Sequence, residues 1–312
     1  MAGFQQLRVT EKVDFRGAVK VGVGDPLTKG KVLYVDSRSW GVGAVVRDGT
    51  DPNYPLSTIT EAMGLCTSGN GDYIFCLDGY DNDATTITVA KTNLHFIGLG
   101  SVNHRAPFVW LLVNAGAAPV FTLKGSNAAN VEIAGFTLGA NASNACIVRG
   151  AGGSTELMYA WIHHCAFGAS EDAAFVAQDG ILWSAGGDGS LIEDCTFGDQ
   201  ITRDGVRFVN FYGGMVRRCL FDNCGSKGIS SITGGAATGM CDCLDNRFHA
   251  NATGATEGWA ITTVSAGDGF IDGNHASDSY TTPSNNPYLD TADVCQWGLN
   301  YTHLTATAPA TT

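Results

Sequence analysis

Charge is scarce in this chain, and positive charge scarcer still. Only 15% of the 312 residues are charged, 18 Lys and Arg against 30 Asp and Glu, for a formal net charge of −12. A diffuse negative field excludes non-specific attraction to DNA, RNA or anionic membranes. No apolar run has bilayer-crossing length, and Met1–Thr10 holds no apolar core of signal-peptide size. The expectation is a chain folded in a cytoplasm without membrane insertion. Cys-x-x-Cys pairs are missing among the ten cysteines, and neither Cys241-Asp-Cys243 nor Cys219 with Cys224 completes a zinc pattern. A cytoplasmic chain of this size keeps its thiols reduced. Gly186–Gly189 and Gly234-Gly235 fit no strand–helix phosphate loop, and no local motif signals a Ser-His-Asp or Cys-His arrangement. No cofactor and no metal are expected.

What is present is glycine, 41 residues of it, and short runs of small, β-branched and aromatic residues between Asn, Asp, Ser and Gly. That mixture makes short strands and tight turns rather than long amphipathic helices. Seven segments superpose: 93–100, 130–139, 159–168, 189–198, 214–222, 243–249 and 269–275. Their frame is an apolar residue, two mostly polar or small ones, a Cys, Asn or Phe, one variable residue, then usually Phe. Phe136, Cys165, Cys195, Cys219, Asn246 and Asn274 share one slot. A supersecondary unit repeated at this length is one coil of a solenoid, with extra residues looped out on one side.

Equivalent residues then stack one rung apart, about 4.8 Å. Phe167, Phe197, Phe221 and Phe248 should form an inward aromatic ladder, and Cys165, Cys195 and Cys219 an inward thiol ladder. Stacked thiols are a packing device, because a buried cysteine behaves as a small hydrophobe. The expected fold is all-β, a right-handed parallel β-helix. Ahead of the coils, Pro55–Cys66 reads as a short helix capped by Ser57 or Thr58, with Glu61 following and Ile59, Ala62, Met63 and Cys66 on one face. Such a helix plugs the open end of a solenoid.

The run Tyr34-Val-Asp-Ser37, Asp48-Gly-Thr-Asp-Pro52, Pro55–Ile59, Gly71-Asp72 and Ile97-Gly-Leu-Gly100 resembles the opening of pectate-lyase-like β-helix proteins. Within that superfamily it is most similar to the short versions common in tailed-bacteriophage genomes. The resemblance covers residues 31 to 280 and is specific for fold rather than function, since lyases, hydrolases, tailspikes and inert structural proteins share the architecture.

The ends differ in kind. Residues 1–30 read as an extended arm that caps the solenoid or attaches it to a partner, with Arg8, Lys12, Arg16 and Lys20 giving it positive charge on an acidic body. Residues 31–92 form the opening of the β-helix with its capping helix, 93–280 the coils, and 281–312 a C-terminal arm or tail.

Polysaccharide cleavage would need two carboxylates facing one groove. Glu171, Asp172, Asp179, Asp188, Glu193, Asp194, Asp199, Asp204 and Asp222 are the acidic candidates, and no pair stands out. Glu193-Asp194 occupy the position of His163-His164 and Arg217-Arg218 in neighbouring coils, which suits charge pairing between rungs. Arg203, Asp204 and Arg207 near Asp199 are the one grouping of lyase flavour. His163 and His164, adjacent in a strand, should face apart, one outward and one at a turn. Trp161, Trp183, Trp259, Trp297, Phe211 and Tyr212 exceed what the Phe ladder needs, and suit sugar platforms or subunit interfaces.

The resemblance therefore implies a virion structural protein, a capsid decoration or spike. The expected assembly is a non-enzymatic homotrimer that meets the viral capsid or other virion proteins through its N-terminal arm. A polysaccharide depolymerase, hydrolase or lyase, and a non-catalytic module that binds host glycans stand beside it as alternatives.

Overall fold

The computed structural model describes residues 30–36, 47–77, 80–81, 86–99, 102–103, 106–107, 109–112, 118–124, 128–140, 143–149, 159–168, 176–184, 189–209, 213–231, 241–249, 259–263, 269–277, 287–291, 295–302 and 305–306. The arm residues Arg8, Lys12, Arg16 and Lys20 lie outside them.

Three parallel sheets wrap one interior as a right-handed parallel β-helix. Sheet I stacks Val32–Val35, Asp72–Cys76, Leu94–Gly98, Val131–Ala134, Ala160–His163, Ser190–Glu193, Gly214–Arg217, Cys241–Leu244, Phe270–Asp272 and Gln296–Trp297. Sheet II runs from Tyr80–Asp81 through Phe136–Gly139, Ala166–Phe167, Thr196–Phe197, Leu220–Asp222, Arg247–His249 and His275–Ala276 to Tyr301–Thr302. Sheet III runs from Ile87–Val89 through Phe121–Leu123, Ile147–Arg149, Ile181–Trp183, Asp204–Phe208, Lys227–Ser231 and Trp259–Thr263 to Tyr288–Asp290. Alternation along each short strand turns Ile74, Phe96, Ile133, Ile162, Ile192, Val216 and Ile271 of sheet I inward, where all are buried.

Phe167, Phe197, Phe221 and Phe248 lie face to face along sheet II, with successive ring centroids 4.7, 4.6 and 4.8 Å apart and interplanar angles of 4–9°. They fit because sheet III presents glycine opposite them. A Cβ on Gly180, Gly205 or Gly228 would come within 2.6, 2.5 or 2.4 Å of Phe197, Phe221 or Phe248 respectively. Cys165, Cys195 and Cys219 are buried between sheets I and II, each donating its thiol to the preceding rung, at Ile133, Ile162 and Ile192 carbonyls.

The helix spans Ile59–Leu65, with Thr58 as its cap: the Thr58 hydroxyl accepts from the Glu61 N–H at 3.1 Å, and the Glu61 carboxylate accepts from the Thr58 N–H. Lys31 and Lys91 Nζ close its other end by donating to the Leu65, Met63 and Cys66 carbonyls at 2.6–2.7 Å. Ile59 and Ala62 join the interior beside the first rungs. No helix among the described residues is long and apolar enough to cross a membrane.

In the opening segment, Asp72–Cys76 and Ile87–Val89 join sheets I and III. Residues 281–312 are not simply an arm. Tyr288–Asp290, Gln296–Trp297 and Tyr301–Thr302 add to the ends of all three sheets, and Thr305–Ala306 folds back antiparallel on the last of these. The rung went unseen because Trp297 fills the inward place of Ile271, and Thr302 that of Ala276, so neither aliphatic nor Phe marks the frame.

Candidate functional site

The outward face of sheet I carries the densest chemistry among the described residues. Register sets Tyr73, His95, Glu132, Trp161, Leu191, Met215, Asp242 and Phe270 in one column, and Phe75, Ile97, Ala134, His163, Glu193, Arg217, Leu244 and Asp272 in the next. Beyond the second column the chain turns through left-handed residues, Gly135, His164, Asp194, Arg218, Asp245 and Gly273, all with φ between 51° and 76°. A non-glycine there costs on the order of 1–2 kcal/mol. Rung-to-rung bonds hold the turn, from the His164, Asp194 and Arg218 N–H groups to the Glu193, Arg217 and Leu244 carbonyls at 3.1–3.3 Å.

Glu132 sits between two imidazoles, 2.6 Å from His95 Nδ1 and 2.8 Å from His163 Nε2. Burial alone would raise its carboxyl, but the hydrogen bonds from His163 and His95 override it and hold the group down at about 2. An ionised Glu132 only accepts, so both imidazoles donate to it. His163 Nδ1 then faces His164 Nδ1 at 2.8 Å, with one proton between them. The left-handed turn at His164 is what brings the two rings together, and strand alternation does not apply past His163. Aromatic faces flank the chain: Tyr73 stacks on His95 at 4.1 Å and Trp161 on His163 at 4.0 Å.

One rung on, Glu193 accepts from Arg217 Nε at 2.8 Å, Arg218 Nη2 at 2.5 Å and Trp161 Nε1 at 2.8 Å. Burial pushes Glu193 up, and the bonds from Arg217 and Trp161 win, leaving its carboxyl below the ordinary range. Asp194 is lowered by the bonds it accepts from Arg218 at 2.8–2.9 Å. Glu193-Asp194 and Arg217-Arg218 thus form an ionic ladder across two rungs, with the Glu132–His163–His164 chain on the rungs before it.

The other acidic candidates are dispersed. Asp179 is sealed on sheet III in a two-bonded pair with Arg203, at 2.7 Å from Arg203 Nε and in contact with Nη2. Asp204, the next rung, is buried too. It accepts from Ser230 Oγ at 2.7 Å, its Oδ1 has no partner, and burial pushes its carboxyl up. Asp222 meets His249 at 2.9 Å on sheet II, and Asp199 is exposed at a turn. Glu171, Asp172, Asp188, Phe211 and Tyr212 lie outside the described residues. Trp183 and Trp259 are not surface platforms: both are buried, Trp183 beneath Arg149 at 5.1 Å. Trp297 is half-buried and donates to Asp290 at 2.9 Å. Trp161 is 43% exposed, joined by Tyr159, which the sequence reading passed over and whose ring would collide with any Cβ on Gly189.

No family model matches the chain, and no curated protein matches its sequence. Solved structures do match its fold. Pectate lyase Pel9A superposes with a TM-score of 0.50 at 11% identity, over 89% of this chain and 81% of that one. ORF18 of Geobacillus virus E2 gives 0.41 at 13% identity, over 89% and 60%, and a pectin methylesterase in complex with hexasaccharide VII gives 0.39 at 10%, over 90% and 92%. At these identities the likeness is one of fold.

Proposed function

We propose that the chain is a non-enzymatic structural protein of a tailed-bacteriophage virion, a short β-helical spike or capsid decoration that assembles as a trimer and attaches through residues 1–30. The observation that carries this reading is the engagement of the outward carboxylates on sheet I. Glu132, Glu193 and Asp194 each bind a cation or imidazole on an adjoining rung. A general acid for glycoside cleavage needs its carboxyl raised towards neutrality. These three are held the other way. Paired charges that tie rung to rung stiffen a rod, which is what a spike needs.

The test is mass spectrometry of density-banded virions made from the genome that encodes the chain. The reading expects its peptides at a fixed copy number per particle, a multiple of three. Absence from particles overturns it.

A second reading has its own observation. Trp161 and Tyr159 offer exposed aromatic faces beside the Glu132–His163–His164 chain, an arrangement that suits a sugar ring. Release of reducing ends from bacterial surface polysaccharide would favour a depolymerase, and binding without release a glycan-binding module.

A further inference from the structure

Asp204 opens the sheet III strand Asp204–Phe208 and is 1% exposed. Its Oδ2 meets Ser230 Oγ on the next rung at 2.7 Å, and its Oδ1 has no partner among the described residues. Arg207, on the same strand, holds Nη1 3.6 Å from Oδ2, beyond hydrogen-bond reach. Lys227, its register partner on the following strand, acts on it through the field alone. Arg203 is committed through Nε and Nη2 to Asp179. Asp179 is itself buried on the rung before, and its Oδ1 takes the Asp204 N–H at 3.2 Å. Cys224, within the field of Asp204, is a buried neutral thiol. An ionised Asp204 is therefore a sealed carboxylate beside a second carboxylate, with one hydrogen bond on one oxygen. Burying charge on those terms is far costlier than burying the neutral acid. A proton on Oδ2 removes the charge and lets the bond to Ser230 run from carboxyl to hydroxyl.

From this geometry we infer that Asp204 is a proton-held latch in sheet III. With its proton it stays sealed against Ser230 and keeps Asp204–Phe208 packed on Lys227–Ser231. Without it, the carboxylate draws in Arg207 and water, and these two strands loosen. Burial, reinforced by the charge of Asp179, raises the carboxyl above its ordinary 3.8 against the pull of Ser230, Lys227 and Arg207. The fold thus keeps a proton that the unfolded chain has released. The latch contributes fully below pH 3.8 and is lost as pH rises through the folded value. Glu132 on sheet I has the opposite sign, so the two flanks of the solenoid answer acid in opposite directions.

The test is urea unfolding of the full-length chain from pH 4 to pH 8 beside Asp204→Asn, whose amide stands in for the protonated carboxyl. The unfolding constant of the wild type should rise with pH relative to the variant's, by about tenfold per pH unit at its steepest, since one proton is linked. Arg207→Met, which removes the cation the carboxylate would draw in, should carry that rise to higher pH. Amide hydrogen exchange of the wild type alone supplies the local reading. Asp204–Phe208 and Lys227–Ser231 should lose protection as pH rises, after correction for the intrinsic rate, while Ser190–Glu193 of sheet I keeps its own. A constant ratio of wild type to Asp204→Asn, an Arg207→Met profile identical to wild type, or protection lost equally from both sheets would overturn the latch.

Discussion

The coil frame has one slot between sheets I and II, and the two halves of the solenoid fill it with different chemistry. In the earlier coils it holds Cys165, Cys195 and Cys219, and in the later ones Asn246, Asn274 and Asn300. Both ladders do the same job, donating to a carbonyl on the preceding rung. The thiols reach Ile133, Ile162 and Ile192 at 3.6, 3.7 and 3.9 Å, whereas the amides reach Val216, Cys243 and Ile271 at 2.8–2.9 Å. The amides also accept. Asn246 Oδ1 takes the Cys219 N–H, Asn274 Oδ1 takes both the N–H and Nδ2 of Asn246, and Asn300 Oδ1 does the same for Asn274. A thiol slot is a packed hydrophobe with a weak donor, and an amide slot is a hydrogen-bonded chain. The lesson is that in the coils after Phe136 the slot takes a small side chain with a donor, and either solution meets it.

Breaking what the two halves share should cost most. Phe197→Ala in the continuous ring ladder should lower stability by about 3–5 kcal/mol in urea unfolding. A change under about 0.5 kcal/mol would put the ring on the surface. Next comes Asn274→Leu, which strands the Asn246 N–H and removes the partners that Asn274 supplies to one Asn246 amide hydrogen and to the Cys243 carbonyl. It should cost about 2–4 kcal/mol, since each orphaned buried group carries roughly 1–3 kcal/mol. Cys195→Ala, at the equivalent place in the thiol half, should cost only about 1–2 kcal/mol. Equal losses at Asn274 and Cys195 would erase the distinction between the halves.

This comparison also shows what the sequence made legible. The Phe ladder and the shared slot through Asn274 could be read directly, because inward residues recur while the loops vary. Asn300 sits in the same slot, but its rung has Trp297 and Thr302 where an aliphatic residue and Phe were sought, so it escaped notice. Sheet III was harder still. Its strands at Phe121–Leu123 and Ile181–Trp183 are three residues long and set among loops, too short to show a period. The acid-and-imidazole chain needed a backbone fact. Nothing in His163-His164 announces a left-handed turn, a conformation in which Gly, Asn or Asp would be expected rather than His or Arg.

Smaller effects separate the outward ladder from the interior. Glu132 is lower in the fold than its ordinary value of 4.5, so its contribution is fully present above that value and is lost as pH falls towards about 2. Wild type should lose more melting temperature than Glu132→Gln between pH 5 and pH 2. Parallel curves would show that the two imidazoles do not hold it.

The melting temperature of Glu193→Gln tests the structural reading of this flank most directly. If the ionic ladder is there to bind rungs together, neutralising Glu193 costs about 1 kcal/mol after allowance for its exposed arginine partners, and the melting temperature falls by about 2–4 °C. A rise would contradict the account. Charge held at a cost to stability marks a working site, and the ladder would then be one.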